Sequence, residues 1–267
     1  MLKNILLFSL ILLLFSCSNH KNVQVFIATE DLQIGTNRFS VAFADSNGLV
    51  NNESLEVSFS GEGGYPKFNK ELKFVSFPDY YDVGLNNGVY TEIIDFEKNG
   101  EWKISLGDGD ANFVVKEISN SLSVGDIAPK SDNLTINETS IENLSTGTPF
   151  NNSFYEKKVY KLLEDGELFI VTFMSPAFCI DPTCGPQLDT LDELSNKYVE
   201  LPIVHIETYL NPVELKNDFD KRKINPIIED WGVDEGQWLY IVSKSGMIIA
   251  KFQGYASLDQ IEEYITK

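Results

Sequence analysis

Two cysteines, Cys179 and Cys184, stand with four residues between them in the stretch Met174 to Gln187, MSPAFCIDPTCGPQ. A thiol pair at this spacing can exchange disulfides, grip a soft metal, or simply staple a loop. Exchange needs one sulfur that is accessible and readily ionised. Cys184 precedes Gly185 and Pro186, and a proline in a first helical turn marks a helix start. The unpaired N–H groups and dipole of such a start favour a thiolate. This makes Cys184 the candidate attacking sulfur and Cys179 its resolving partner. Asp181 and Asp189 act against it, because nearby negative charge disfavours a second anion. A bridge over so short a loop adds roughly 2 kcal/mol in the chain-entropy picture. A catalytic dithiol and a structural disulfide both stay open.

Thiolates with an imidazole also suit copper. The chain has two histidines, His20 and His205. His205 lies in the apolar run Ile203-Val204-His205-Ile206, so the copper alternative uses Cys179, Cys184 and His205. A strand histidine satisfied inside a core is the plainer reading. One histidine in the folded part makes a serine or cysteine triad improbable. The stretch GEGGYP at 61–66 lacks the lysine and helix of a phosphate loop and reads as a hairpin turn. No cofactor is expected.

The pair must be held by neighbouring elements. The run LFIVTFM (168–174) is continuously apolar, as in a strand covered on both faces. Leu188, Leu191, Leu194 and Tyr198 recur at helical spacing over 187–199. A second strand is predicted over 202–209 and a helix over 212–222. A hairpin at 238–252 crosses Lys244-Ser245-Gly246, and a last helix over 257–266 is capped by Ser257. Ser153 to Glu156 reads as a capping box that starts a helix running to about Asp165, with Gly166 as its stop. Residues 119–152, rich in Asn, Ser and Thr, read as a linker or loosely packed arm.

From Val23 to Glu117 short alternating runs are split by Gly, Asn and Asp. They are VQVFIA, RFSVAFAD, LEVSFSG, LKFVSF, VYTEIID, EWKISL and NFVVKE, and they predict a β-sandwich of immunoglobulin-like type. The region has no cysteine, so it lacks an inter-sheet bridge; Trp102, Phe43, Phe59 and Tyr90 are its candidate core.

Residues 1–16, MLKNILLFSLILLLFS, carry one lysine and then an apolar stretch too short for a comfortable membrane span. Leu14-Phe15-Ser16-Cys17 resembles the bacterial lipobox, whose cysteine becomes the lipidated first residue. The expected layout is a signal peptide (1–16), a tether (17–22), the β-sandwich (23–118), the arm (119–152) and an α/β unit (153–267). The mature chain then sits in the cell envelope, anchored by lipid at Cys17, where disulfides persist. A net charge of −19 argues against nucleic acid, which needs clustered cations.

The order strand, helix, strand, helix, strand, strand, helix, with cysteines before the first helix, is similar to the thioredoxin fold. Cys184-Gly185-Pro186 matches the first three residues of the thioredoxin active motif. Val124-Gly125-Asp126-Ile127-Ala128-Pro129 resembles the entry signature of redoxin domains. The resemblance covers about residues 124–267 and implies exchange with thiols or disulfides of another envelope protein. The sequence departs from that family in three places. Gln187 replaces the second cysteine, Gly236-Gln237-Trp238 has no proline where the family has one in cis, and Thr172 stands where a buried aspartate is usual. The rival expectation is a binding or scaffold lipoprotein that keeps only a staple.

Overall fold

The computed structural model describes residues 22–78, 87–179 and 182–266. The expected signal peptide, the lipidation site Cys17, His20 and Asp181 lie outside these residues.

All seven alternating runs form strands. In chain order the strands are β1 (Gln24–Ile27), β2 (Leu32–Gln33), β3 (Gly35–Asp45), β4 (Gly48–Leu49), β5 (Ser54–Gly61), β6 (Lys67–Ser76), β7 (Gly88–Phe96), β8 (Gly100–Leu106) and β9 (Gly109–Lys116). Hydrogen bonding joins them in one continuous sheet, β1-β3-β7-β6-β5-β8-β9-β2, with β4 beside β3. The sheet curls around large, mostly aromatic inward residues. Leu55, Val57 and Phe59 alternate inward along β5. Phe39 meets Phe59 at 5.3 Å and Phe113 at 5.2 Å, and Phe96 meets Trp102 at 5.0 Å. Each such ring contributes about 1.5–3 kcal/mol by leaving water. The curl brings the start of β1 against β9. The Asn22 and Val23 N–H groups donate to the Asp108 carboxylate at 2.9 and 3.1 Å. Gly109 permits the approach, since a Cβ there would run into the Val23 backbone. Residues 61–66 do form the β5–β6 hairpin turn.

A second sheet follows. Its elements are α1 (Val159–Asp165), β10 (Phe169–Met174), α2 (Cys184–Lys197), β11 (Ile203–Glu207), α3 (Pro212–Leu215), α4 (Pro226–Asp230), β12 (Trp238–Val242), β13 (Ile248–Gln253) and α5 (Leu258–Ile265). The strand order is β11-β10-β12-β13, with β10 parallel to β11 and the other pairs antiparallel. Every residue of β10 is buried, because both faces are covered. Phe169, Val171 and Phe173 face a cluster with Trp231 and Tyr240. Ile170 and Met174 face the opposite way, toward Cys184, Leu191 and Leu194 of α2. Ser257 and Gln260 form the capping box of α5. Among the described residues no helix is long and apolar enough to cross a membrane.

Three expectations are corrected. The arm is not loose: Ser121, Ala128, Ser131, Asn133, Leu144, Ser145 and Thr146 are all buried against the second sheet's layers. Its small polar side chains are used to satisfy backbone and side-chain groups. The Trp231 Nε1–H donates to Ser131 Oγ at 3.0 Å, and the Val159 N–H donates to Asn133 Oδ1 at 2.9 Å. For the same reason α1 starts at Val159 and not at Ser153. Ser153 lies in a 3₁₀ turn, Asn152–Tyr155, capped by Asn151; Gly166, at φ 67°, ends α1 as expected. The helix predicted over 212–222 breaks after Leu215. Asp218 takes extended backbone, and its side chain caps a 3₁₀ turn at Phe219–Lys221, as short polar residues favour caps over helix interiors.

Two charged residues of the first sheet's region, Asp31 and Arg38, help to fasten the sheets to each other. Asp31 accepts from Lys116 Nζ at 2.8 Å, from the Asn120 and Ser121 N–H groups, and from the Ser121 hydroxyl. Lys251 Nζ approaches it at 3.7 Å. Burial alone would push the Asp31 carboxyl up, but these hydrogen bonds outweigh it and hold the pKa at about 2. The Arg38 guanidinium donates to the Gln253 and Tyr255 carbonyls and to Gln260 Oε1, and lies over the Phe252 ring.

Candidate functional site

The chain leaves β10 at Met174, makes a 3₁₀ turn at Pro176–Phe178, and reaches Cys179. α2 then opens on Cys184. The two cysteines are bonded, with Cα atoms 6.1 Å apart, inside the usual span of a disulfide. They differ in access. Cys184 is only 2% exposed and packs among Met174, Leu191 and Ala256, whereas Cys179 is half-buried. Pro186 sits in the first helical turn, where its missing N–H leaves nothing unpaired. The Thr183 side chain makes no capping bond to that turn.

Gln187, which replaces a second motif cysteine, is fully buried. Its Oε1 accepts from the Ala256 N–H at 2.8 Å and so ties α2 to the lead-in of α5. Thr172 is also buried, and its hydroxyl donates to the Trp238 carbonyl at 2.8 Å.

The acid near this site comes from a different strand. Glu207 ends β11, opposite Met174 in register. It accepts from the Thr146 N–H at 2.7 Å and the Thr146 hydroxyl at 2.9 Å. Burial pushes its pKa up to about 7 against the pull of these hydrogen bonds. Thr146 Oγ1 also accepts from the Ala177 N–H at 3.1 Å. The buried acid is thus linked, through the arm, to the turn that delivers Cys179. Sequence reading missed Glu207. The available signal was a lone acid closing the otherwise nonacidic run Ile203 to Ile206.

His205 is buried with both ring nitrogens occupied. Nε2 lies 3.1 Å from the Met174 carbonyl, which can only accept, so Nε2 carries the proton. Nδ1 then accepts from the Tyr155 hydroxyl at 2.7 Å. Burial lowers the His205 pKa to about 4 and keeps the ring neutral. The set Cys179, Cys184 and His205 is therefore not arranged as a copper site. Among the described residues no group of three or more His, Cys, Asp or Glu is placed to hold a metal ion.

Two surfaces border the disulfide. On one side Phe178 stacks on Phe219 at 4.8 Å, and the Arg222 guanidinium lies over the Phe219 ring. On the other, a groove of about 570 Å³ runs between the arm, the 3₁₀ turn before Cys179 and the first turns of α2. Comparison of the chain with known protein families finds no matching family, and comparison with curated proteins finds no match.

Proposed function

We propose that this chain is a thiol–disulfide exchange protein of the bacterial cell envelope, lipid-anchored at Cys17, with Cys179 and Cys184 as its working pair. The observation that carries the proposal is the unequal exposure of the bonded sulfurs: Cys179 half-buried, Cys184 enclosed at the first position of α2. The strand order and directions of the second sheet support a thioredoxin-like reading of residues 153–267, and the curled sheet ahead of it supports a β-rich module, the coarser part of the immunoglobulin-like expectation.

The access difference supports roles in the opposite sense to the sequence expectation. A partner thiolate attacks Cys179 Sγ and forms a mixed disulfide. The Cys179–Cys184 bond breaks, and Cys184 leaves with the electron pair as a thiolate. The start of α2 stabilises that anion, and a lower leaving-group pKa speeds departure. The partner's second thiolate then attacks its own sulfur in the mixed disulfide and expels Cys179. The partner dithiol loses two electrons and two protons, and the cysteine pair gains both. The reverse sequence oxidises the pair, with Cys184 as the resolving nucleophile.

A second reading has its own observation. The enclosure of Cys184 in an apolar cluster also suits a structural staple in a scaffold lipoprotein. The reduction potential separates the two: a value in the range of about −120 to −270 mV supports exchange, and one below about −300 mV sinks it in favour of the staple.

A further inference from the structure

The groove beside the disulfide has mostly apolar walls, formed by Pro149 of the arm, Pro176 before Cys179, and Leu188 on α2. Its charged lining groups are two carboxylates, Asp189 and Asp192, three residues apart and so on one face of α2, with Thr146 and Thr148 of the arm as the other polar side chains. The Asn151 amide donates to Asp192 at 2.8 Å. Asp189 makes no hydrogen bond or ion pair among the described residues, and partial burial and the Asp192 charge both raise its pKa. Among the described residues neither carboxylate has a cation partner. The groove begins within two residues of Cys179 and one of Cys184, a few ångströms along the backbone. A chain that reaches the disulfide through it must pass these charges.

We infer that the groove receives an extended segment of the partner protein that carries Lys or Arg beside its cysteine. Charge complementarity selects this occupant. Like charge in a partly desolvated groove repels an acidic segment, while a cation satisfies a carboxylate that nothing else pairs. The strongly acidic chain as a whole steers cationic partners in the same direction. The apolar walls take the uncharged residues of the segment. This inference rests on the exchange reading and names the partner's chemistry.

The test uses the oxidised full-length chain and two short synthetic peptides, each with one cysteine, flanked by lysines in one and glutamates in the other. Rate constants for mixed-disulfide formation are measured at low and high salt, for the natural chain and for Asp189→Asn. Each peptide's own thiol acidity is the same against both proteins and cancels in the comparison. The lysine-over-glutamate rate ratio should fall at least fivefold in Asp189→Asn and shrink in high salt. A ratio unchanged by the substitution overturns the inference and leaves exchange standing. Failure of both peptides to react overturns exchange and the inference with it.

Discussion

Glu207 and Thr146 share two hydrogen bonds, 2.7 Å to the Thr146 N–H and 2.9 Å to its hydroxyl, and these hold the arm to the end of β11. The Glu207 pKa is raised from 4.5 to about 7. Between these values the folded chain binds more proton than the unfolded one, so this group's contribution falls as pH rises. His205 does the opposite: its pKa is lowered from 6.5 to about 4, so its contribution grows as pH rises through that range. The two slopes oppose each other between about pH 4.5 and 6.5, so these two groups together add little net slope there. Glu207→Gln removes one slope. Its stability should rise by about 2–3 kcal/mol across that window, followed by denaturant unfolding at stepped pH. Equal pH profiles for the two proteins refute the coupling.

The unequal exposure of the sulfurs predicts which variant traps a partner. With Cys184→Ser the accessible Cys179 thiol forms a mixed disulfide that no internal thiol can resolve. With Cys179→Ser the remaining thiol is the enclosed one. Non-reducing gels of cells expressing each should show at least tenfold more mixed disulfide for Cys184→Ser. Equal trapping by both variants refutes the assignment of roles.

What the sequence makes legible is whatever repeats. Alternation along β5 and β7 and the continuous apolar run of β10 are periodic signals, and all become strands. The helix after Cys184 is equally visible from Leu188, Leu191 and Leu194 and from Pro186. What stays hidden is contact between distant residues. Nothing local says that Asn133 caps α1, that Ser131 satisfies Trp231 Nε1, or that Thr146 holds Glu207. Small polar residues have no hydrophobic period, so the arm reads as linker although it is part of the site's support. The sulfur pair is visible in the sequence, but its unequal burial depends on the packing of α2 against β10.

Tyr155 and His205 give a prediction about stability alone. Tyr155→Phe deletes the hydroxyl that donates to Nδ1 and leaves a buried acceptor unpaired, which costs about 1–3 kcal/mol. The change keeps the ring and its edge-on contact with the imidazole. The unfolding midpoint in urea should drop while the Cys179–Cys184 reduction potential stays put, since the His205 nitrogens bond to the Tyr155 hydroxyl and the Met174 carbonyl and not to a sulfur. A large shift in potential would place His205 in the redox machinery after all.

Asp31 joins both sheets, taking hydrogen bonds from Lys116, Asn120 and Ser121 with Lys251 close by. Its folded pKa, lowered from 3.8 to about 2, means that its stabilisation is complete above pH 3.8 and is lost as pH falls through 2. The shift corresponds to about 2 kcal/mol. Asp31→Asn keeps the shape and one acceptor but removes the charge, and leaves Lys116 and Lys251 facing each other without a carboxylate between them. The substitution should destabilise the chain by about 2–3 kcal/mol at neutral pH and flatten the acid limb of the stability curve below pH 4. Because Asp31 sits between the two sheets, the loss should also appear as faster hydrogen exchange at one of the Asn120 and Ser121 amides, which bond to different carboxylate oxygens, only one of which the asparagine keeps. An Asp31→Asn protein that keeps the natural acid limb would show that some other carboxylate sets it.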